Sequence, residues 1–335
     1  MNNANKLVNV IGGSGFIGTR LCQRLNKSKN YPFVIIDKAE SVTFPHAVNI
    51  ADVRSLDTLR TAIAEDSIII NLAAEHRDDV RPLSLYDEVN VDGARNICAV
   101  AEEKGVKTII FTSTVAVYGF AKIGTDETGE ISPFNDYGRT KFAAEEIFRR
   151  WQAESPQERT LVIIRPTVVF GERNRGNVYN LLKQIASGRF LMIGNGENRK
   201  SMAYVENIVA FIEFSIGFKP GVHLFNYIDK PDFTMNVLVG IVNRMFGRSD
   251  KIAFRLPYSV GYAVGRGFDL FASITGRRPS ISSIRVKKFC SDSVFDTSVT
   301  STGFIPPVKL RDALQKTIKF EFLGGLGDGV VFYSE

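Results

Sequence analysis

Cysteine and histidine are scarce in this chain, at three residues each in 335. Cys22, Cys98 and Cys290 are widely spaced and odd in number, so they make neither a disulfide framework nor a metal-ligand cluster. His46, His76 and His223 stand far apart in sequence, which argues against a zinc site. Long apolar runs are missing too, and nothing is long enough to span a bilayer. Met1 to Lys6 is polar and lacks the basic-then-apolar order of a secretory signal, and Val8 to Ile11 is too short for its apolar core. A reducing cytoplasm is the compartment expected from these absences. No short internal repeat and no low-complexity segment stands out. The net charge of +6 suits a solvated surface rather than a nucleic-acid groove. Basic residues do gather late, at Arg277, Arg278, Arg285, Lys287 and Lys288. A patch of that kind fits an anionic small ligand or a lipid headgroup better than a long polymer.

The first half alternates short β-branched apolar runs with helical stretches. Leu7 to Ile11, Phe33 to Ile36, Ser67 to Leu72, Thr108 to Thr112 and Leu161 to Ile164 read as buried strands. Gly18 to Leu25, Ser55 to Ala64, Leu85 to Lys104 and Tyr137 to Gln152 read as helices. Uninterrupted apolar strands in such alternation predict an α/β fold whose parallel sheet is covered on both faces. After Gly171 the elements shorten and polar turns such as Gly194 to Glu197 separate them. The expected division is a domain over residues 1–170 and, over 171–335, a smaller lobe, with some elements returning to the main sheet. Tyr258 to Thr275 is amphipathic and aromatic. A pair of core or interface helices is the expectation there, with membrane contact as the alternative.

The first strand runs into Gly12-Gly13-Ser14-Gly15-Phe16-Ile17-Gly18 and then a helix. Gly12 relieves Cβ clashes at the turn, Gly15 lets a pyrophosphate approach the backbone, and Gly18 lets the helix pack on the strand. The helix N-terminus then attracts the negative charge, so this strand–loop–helix is a dinucleotide cradle with Phe16 and Ile17 at its edge. Asp37 closes the next apolar run, where a carboxylate accepts hydrogen bonds from ribose hydroxyls and repels a 2′-phosphate. That favours NAD over NADP, while Lys38 beside it is the residue that would pair with such a phosphate. Asp52, followed by Val53, has two readings: a partner for the adenine amino group, or the cap of the helix that starts near Ser55.

Tyr137 and Lys141 are four residues apart, on one face of a helix. A phenol titrates near ~10 in solution, and a lysine cation beside it is expected to favour phenolate. Thr114 follows the strand Thr108 to Thr112, at the end of an open sheet where ligands bind. Its hydroxyl is placed to bond a reacting oxygen, and Ser113 competes for the role.

With these residues the chain resembles the extended short-chain dehydrogenase/reductase family, in its NAD-dependent sugar-nucleotide epimerase/dehydratase group, the UDP-glucose 4-epimerase-like enzymes. The resemblance runs near full length, through Gly12 to Gly18, Asp37, Asp52-Val53, Asn71 to Ala74, Thr114, Tyr137 to Lys141 and Arg165-Pro166. It implies a Rossmann-type doubly wound parallel sheet with a smaller C-terminal substrate-binding lobe. It implies that Leu72, Ala73 and Ala74 line the dinucleotide and that Pro166 to Val168 approach the nicotinamide. Asn177, Lys200 and Arg285 fall near positions that hold a nucleotide diphosphate. Lys200 stands where many relatives carry arginine, and lysine cannot make that bidentate grip, so Arg199 is a second candidate. Dehydratases of the family carry an Asp-Glu pair after the catalytic threonine, and here the places are Val115-Ala116. The charged run Glu75 to Asp79 lines the sugar site or forms a solvated loop.

The reading that follows is a 4-epimerase of a UDP-hexose or UDP-N-acetylhexosamine, working through a 4-keto intermediate with Tyr137 as acid/base, Thr114 holding the oxygen and Lys141 on the nicotinamide ribose. A net reductase of 4-keto sugar nucleotides uses the same three residues. A dehydrogenase of sterol or lipid-linked substrates is motivated by the aromatic Tyr258 to Phe271. A non-catalytic dinucleotide-sensing regulator is the reading from another class. No nucleic acid, metal or transmembrane segment is expected, and a homodimer stays open.

Overall fold

Strand runs that are apolar on both faces settle only where both faces are covered. The computed structural model describes residues 5–77, 80–250, 252, 254–275, 282–324, 327 and 329–333; Asp78, Asp79, Arg277 and Arg278 lie outside the described residues. In chain order the strands are β1 (Val8–Ile11), β2 (Phe33–Asp37), β3 (Val48–Ile50), β4 (Ile68–Asn71), β5 (Thr108–Thr112) and β6 (Thr160–Pro166). Shorter or later ones follow: β7 (Val168–Phe170), β8 (Met192–Ile193), β9 (Arg199–Tyr204), β10 (Gly221–Tyr227), β11 (Asp229–Thr234) and β12 (Arg255–Leu256). The first half holds α1 (Phe16–Ser28), α2 (Leu56–Ala62), α3 (Ser84–Tyr86), α4 (Gly93–Glu103) and α5 (Asp136–Ala153). The second holds α6 (Asn177–Ala186), α7 (Val205–Ser215), α8 (Met235–Met245), α9 (Tyr258–Thr275), α10 (Ser283–Cys290) and α11 (Leu310–Ile318).

The main sheet has seven strands in the order β10-β6-β5-β4-β1-β2-β3, and every pairing in it is parallel. Alternate residues serve opposite faces. Val8, Val10, Ile70, Ile110 and Val162 join a core with Leu21 and Leu25 of α1, Val209 of α7 and Leu314 of α11. Ile69, Ile109, Phe111 and Ile163 join another with Leu59 of α2, Ile97 of α4 and Phe148 of α5. This is the Rossmann-type doubly wound sheet that the resemblance implied. From β1 the chain winds one way to β2 and β3, then the other way through β4, β5 and β6. The reversal leaves a crevice at the C-terminal ends of β1 and β4, the place where open α/β sheets receive ligands.

In the second half β10 joins the main sheet beside β6, while β11, β9 and β7 make a separate three-stranded sheet. Three features depart from the expectations. The edge strand β3 is only partly apolar, and its three residues gave no run to read. The expected helix Leu85 to Lys104 is interrupted: a wide π-type turn, Asp87–Asp92, separates α3 from α4. Asn90 on that turn reaches sideways, its amide bonding Glu75 N at 2.9 Å, Glu75 O at 3.0 Å and Thr140 Oγ1 at 3.0 Å. Finally, Tyr258 to Thr275 is one helix, not a pair, and much of its apolar surface is exposed instead of packed in a core.

Candidate active site

Gly12 turns the chain at the end of β1 with φ +78°, and a Cβ on it would lie 2.6 Å from Ala73 N. A side chain is therefore excluded twice, by conformation and by the segment after β4. Gly18 is as crowded, its Cβ position lying 2.5 Å from Gly12 O. The turn delivers the chain to α1, whose N-cap is Gly15, with no side-chain cap and no acidic residue in the first turn. The amides and the positive end of that helix are thus left to an anion. Phe16 and Ile17 open the helix half-buried, and the Phe16 ring lies 5.7 Å from that of Phe332. Asp37, at the end of β2, accepts hydrogen bonds from Ser14 N and Ala39 N, both at 3.0 Å. That places its carboxylate against the glycine loop, with Lys38 exposed beside it. Leu72, Ala73 and Ala74 follow β4, and Ala73 N donates to Asn71 Oδ1 at 3.1 Å. A glycine-lined turn, an uncapped helix and a carboxylate at the next strand end fit a dinucleotide.

Asp52 does not cap α2. Ser55 does, its hydroxyl accepting from Thr58 N. Asp52 is held by the Arg54 guanidinium, with Nη2 at 2.7 Å, and that hydrogen bond keeps its carboxyl below the usual range. Val53 is buried, within 3.0 Å of where a Cβ on Gly93 would stand, so it packs under α4.

On the other side of the crevice, Asn135 caps α5 by accepting from Gly138 N at 2.9 Å. A Cβ on Gly138 would lie 2.6 Å from Ala116 O, so α5 starts hard against the turn Val115–Tyr118. That closeness brings the Tyr137 phenol near Thr114, whose hydroxyl favours the ionised phenol. Thr114 Oγ1 also accepts from Ala116 N at 3.1 Å. Ser113 is occupied elsewhere, donating to Glu145 Oε1, so of the two competing hydroxyls it is Thr114 that meets the phenol.

One helical turn beyond Tyr137, Lys141 is buried with its ammonium 4.1 Å from the Phe111 ring centre. One turn further, Glu145 is wholly buried and accepts two bonds from Arg165, at 2.9 and 2.5 Å. Arg165 in turn donates to the Tyr118 hydroxyl at 2.7 Å, and that hydroxyl donates to Asn226 Oδ1 at 2.8 Å. Burial pushes the Tyr137 phenol up to about 12, opposed by the nearby Thr114 hydroxyl. Burial likewise pushes Lys141 down to about 7, opposed by Glu145. The expected depression of Tyr137 by a lysine cation is therefore not what these side chains produce: loss of solvent dominates both groups.

The remaining candidates lie on other elements. Pro166 ends β6 and Val168 opens β7. Asn177 is the exposed first residue of α6, and Arg199 is exposed at the start of β9. Lys200 donates its ammonium protons to Lys288 O at 2.8 Å and Ser291 O at 2.6 Å. It thereby satisfies the C-terminal carbonyls of α10, the helix that carries Arg285. Of the charged run after β4, His76 lies within electrostatic reach of Lys141. Sequence reasoning missed Glu145 and Asn90. The signal for Glu145 was a carboxylate continuing the four-residue spacing of Tyr137 and Lys141; Asn90 left none.

Residues 8–223 match the NAD dependent epimerase/dehydratase family. Over 333 residues the chain is 48% identical to N-acetyl-alpha-D-glucosaminyl-diphospho-ditrans,octacis-undecaprenol 4-epimerase of Escherichia coli O157:H7, covering 99% of this chain and 100% of that one. It is 27% identical to UDP-glucose 4-epimerase of Vibrio cholerae, covering 93% and 94% of the two chains. Its fold is similar to the crystal structure of UDP-glucuronic acid 4-epimerase from Bacillus cereus in complex with NAD, with a TM-score of 0.69 at 21% identity, covering 93% and 98%.

Replacing Tyr137 by Phe keeps the ring and deletes the hydroxyl beside Thr114. Turnover is expected to fall on the order of 10²–10⁴-fold, with dinucleotide binding and thermal midpoint unchanged. Turnover within a factor of two of the parent protein removes Tyr137 from the acid/base role.

Proposed function

This chain belongs to the NAD-dependent epimerase/dehydratase family, and from that premise we propose that it inverts C4 of an N-acetylhexosamine carried on a polyprenol through a diphosphate. It is a sugar epimerase; the finer points of substrate and cofactor are our reading. The observation that carries the substrate is the 48% identity, over essentially the whole of both chains, to a relative named for a sugar-diphospho-undecaprenol. The UDP-linked sugar expected from the motifs gives way to this. Both substrates present the same sugar and diphosphate; Tyr137 and Thr114 would meet only the sugar that the two share, and the glycine loop and Lys141 would meet the dinucleotide.

In this reading Tyr137 takes the proton of the C4 hydroxyl and later returns it. Thr114, beside that phenol, holds the reacting oxygen within reach. Gly12 to Gly18, Asp37 and Lys141 would hold NAD, which would supply the acceptor and donor of the C4 hydride and a ring charge that favours the phenolate. Lys141 would bond the nicotinamide ribose. The protein's own task between the two transfers is to keep the diphosphate anchored while the keto sugar turns its other face. Val115 and Ala116 lie in the turn below Thr114 and offer no acid or base to expel a neighbouring hydroxyl, so the sugar keeps its C6 oxygen.

Two experiments follow. N-acetylglucosaminyl-diphospho-polyprenol in detergent, and UDP-N-acetylglucosamine separately, are incubated with the protein without added reductant, and the released amino sugars are identified. N-acetylgalactosamine should arise from the lipid-linked donor alone; conversion of the UDP-sugar at an equal rate contradicts the proposal. Equilibrium titration should show tighter binding of NAD than of NADP, and Asp37→Ala should narrow the gap, because its carboxylate no longer repels a 2′-phosphate. Tighter NADP binding by the unmodified protein refutes the assignment of Asp37 and turns attention to Lys38.

A further inference from the structure

α9 faces the wrong way for a soluble core helix. Its inward side carries Gly261, Gly265 and Asp269: a Cβ on Gly265 would lie 2.8 Å from Ser283 Cα, and Asp269 accepts from Ser283 N at 3.2 Å. Its outward side carries Val260, Val264, Leu270 and Phe271, exposed by 45, 45, 64 and 51%, with Phe268 on the flank. A stripe this continuous exceeds the scattered apolar residues of an ordinary surface. The helix is nevertheless no membrane span: among the described residues no helix is long and apolar enough to cross a bilayer.

The exposed charges of α9 and α10 are all basic. Arg266, Lys287 and Lys288 are exposed on α9 and α10. Asp269 is the one carboxylate of these two helices, and it is spent on the Ser283 amide. Lys287 lies 5.9 Å from the Phe120 ring centre and Lys288 lies 4.5 Å from that of Phe134. Those two rings are stacked at 5.0 Å and exposed by 64 and 48%. The surface thus runs from α9 across the lysines to a pair of phenylalanines that belong to the catalytic segments: Phe120 follows the turn begun by Thr114, and Phe134 precedes Tyr137 by three residues. Between Tyr258 and Lys287 a recess of about 520 Å³ opens.

We propose that α9, with the basic end of α10 and the Phe120–Phe134 pair, is a docking surface for an anionic lipid bilayer, lying flat in the headgroup layer. Apolar residues on one face, lysine and arginine beside them and no free carboxylate form the composition that partitions into a charged interface. The value of such docking for catalysis rests on the reading of the substrate as lipid-linked: the sugar diphosphate enters beside Tyr137 while its chain stays in the bilayer.

The test is co-sedimentation of the purified full chain with vesicles of phosphatidylcholine alone and of an equimolar mixture with phosphatidylglycerol. The protein should pellet with the mixed vesicles, less with the neutral ones, and less as salt is raised. The double variant Phe268→Ser, Phe271→Ser should bind the mixed vesicles at least about tenfold more weakly, while keeping the parent thermal midpoint and its turnover of detergent-dispersed substrate. The proposal is overturned if the parent protein stays in solution with mixed vesicles, or if the double variant binds as the parent does. It is equally overturned if analytical ultracentrifugation shows a dimer that the double variant dissociates, since a second copy then covers the face. None of these outcomes depends on which sugar donor is turned over in detergent, so failure here and failure of the substrate reading are separate results.

Discussion

A single buried ion pair holds Tyr137, Lys141 and Thr114 in register. Glu145 and Arg165 are both almost wholly removed from solvent, and two charges so placed cost more to desolvate than their attraction returns unless every remaining polar site is bonded. Here the sites are bonded: Ser113 and Arg165 on the carboxylate, Tyr118 on the guanidinium and Asn226 behind Tyr118. The network ties α5 to the ends of β5, β6 and β10 at once. Tyr137 and Lys141 precede Glu145 by two turns and one turn of the same helix, so their positions follow from where Glu145 is pinned. Thr114 is bonded through the chain to Ser113, so its position follows too. The phenol and the hydroxyl that meets it are fixed by a carboxylate that touches neither.

The other half of the site depends on the absence of side chains. Gly12 and Gly18 allow β1, the segment after β4 and the start of α1 to approach within distances that a Cβ would forbid. The result is a helix end with no acidic residue in its first turn, beside Asp37, whose carboxylate accepts from Ser14 N. Both halves meet at the point where the winding of the sheet reverses. In the proposed reaction, that geometry lets a hydride acceptor on one side and an acid/base on the other face the same crevice.

Much of this was legible in the sequence because it is local. Glycine spacing after an apolar strand, and Tyr137 four residues from Lys141, express contacts within one turn of chain. The covered parallel sheet was legible from runs such as Ile68 to Ile70, which have no polar face. What could not be read was non-local. Glu145 meets Arg165 across helix and strand, and neither residue type reveals its partner. Asn90 sits on a wide turn inside what reads as one continuous helix. Lys200 looked like a phosphate ligand because of its place in a pattern, whereas its protons close the end of α10. The apolar periodicity of Tyr258 to Thr275 fixed a helix but not which way it faces, since core and interface impose the same spacing.

Taken together, a pinned phenol, a glycine-lined cradle and no base elsewhere in the turn below Thr114 fit the proposed reaction, in which hydrogen leaves C4 and returns to the same carbon. The most direct measurement is to supply the lipid-linked N-acetylglucosamine with deuterium at C4, in ordinary water, and follow the product by mass spectrometry and NMR. Transient oxidation with internal return predicts that the C4 epimer keeps its deuterium through many turnovers. Replacement of that deuterium by solvent hydrogen at C4 would contradict it, because the carbon would then have exchanged a proton and not a hydride.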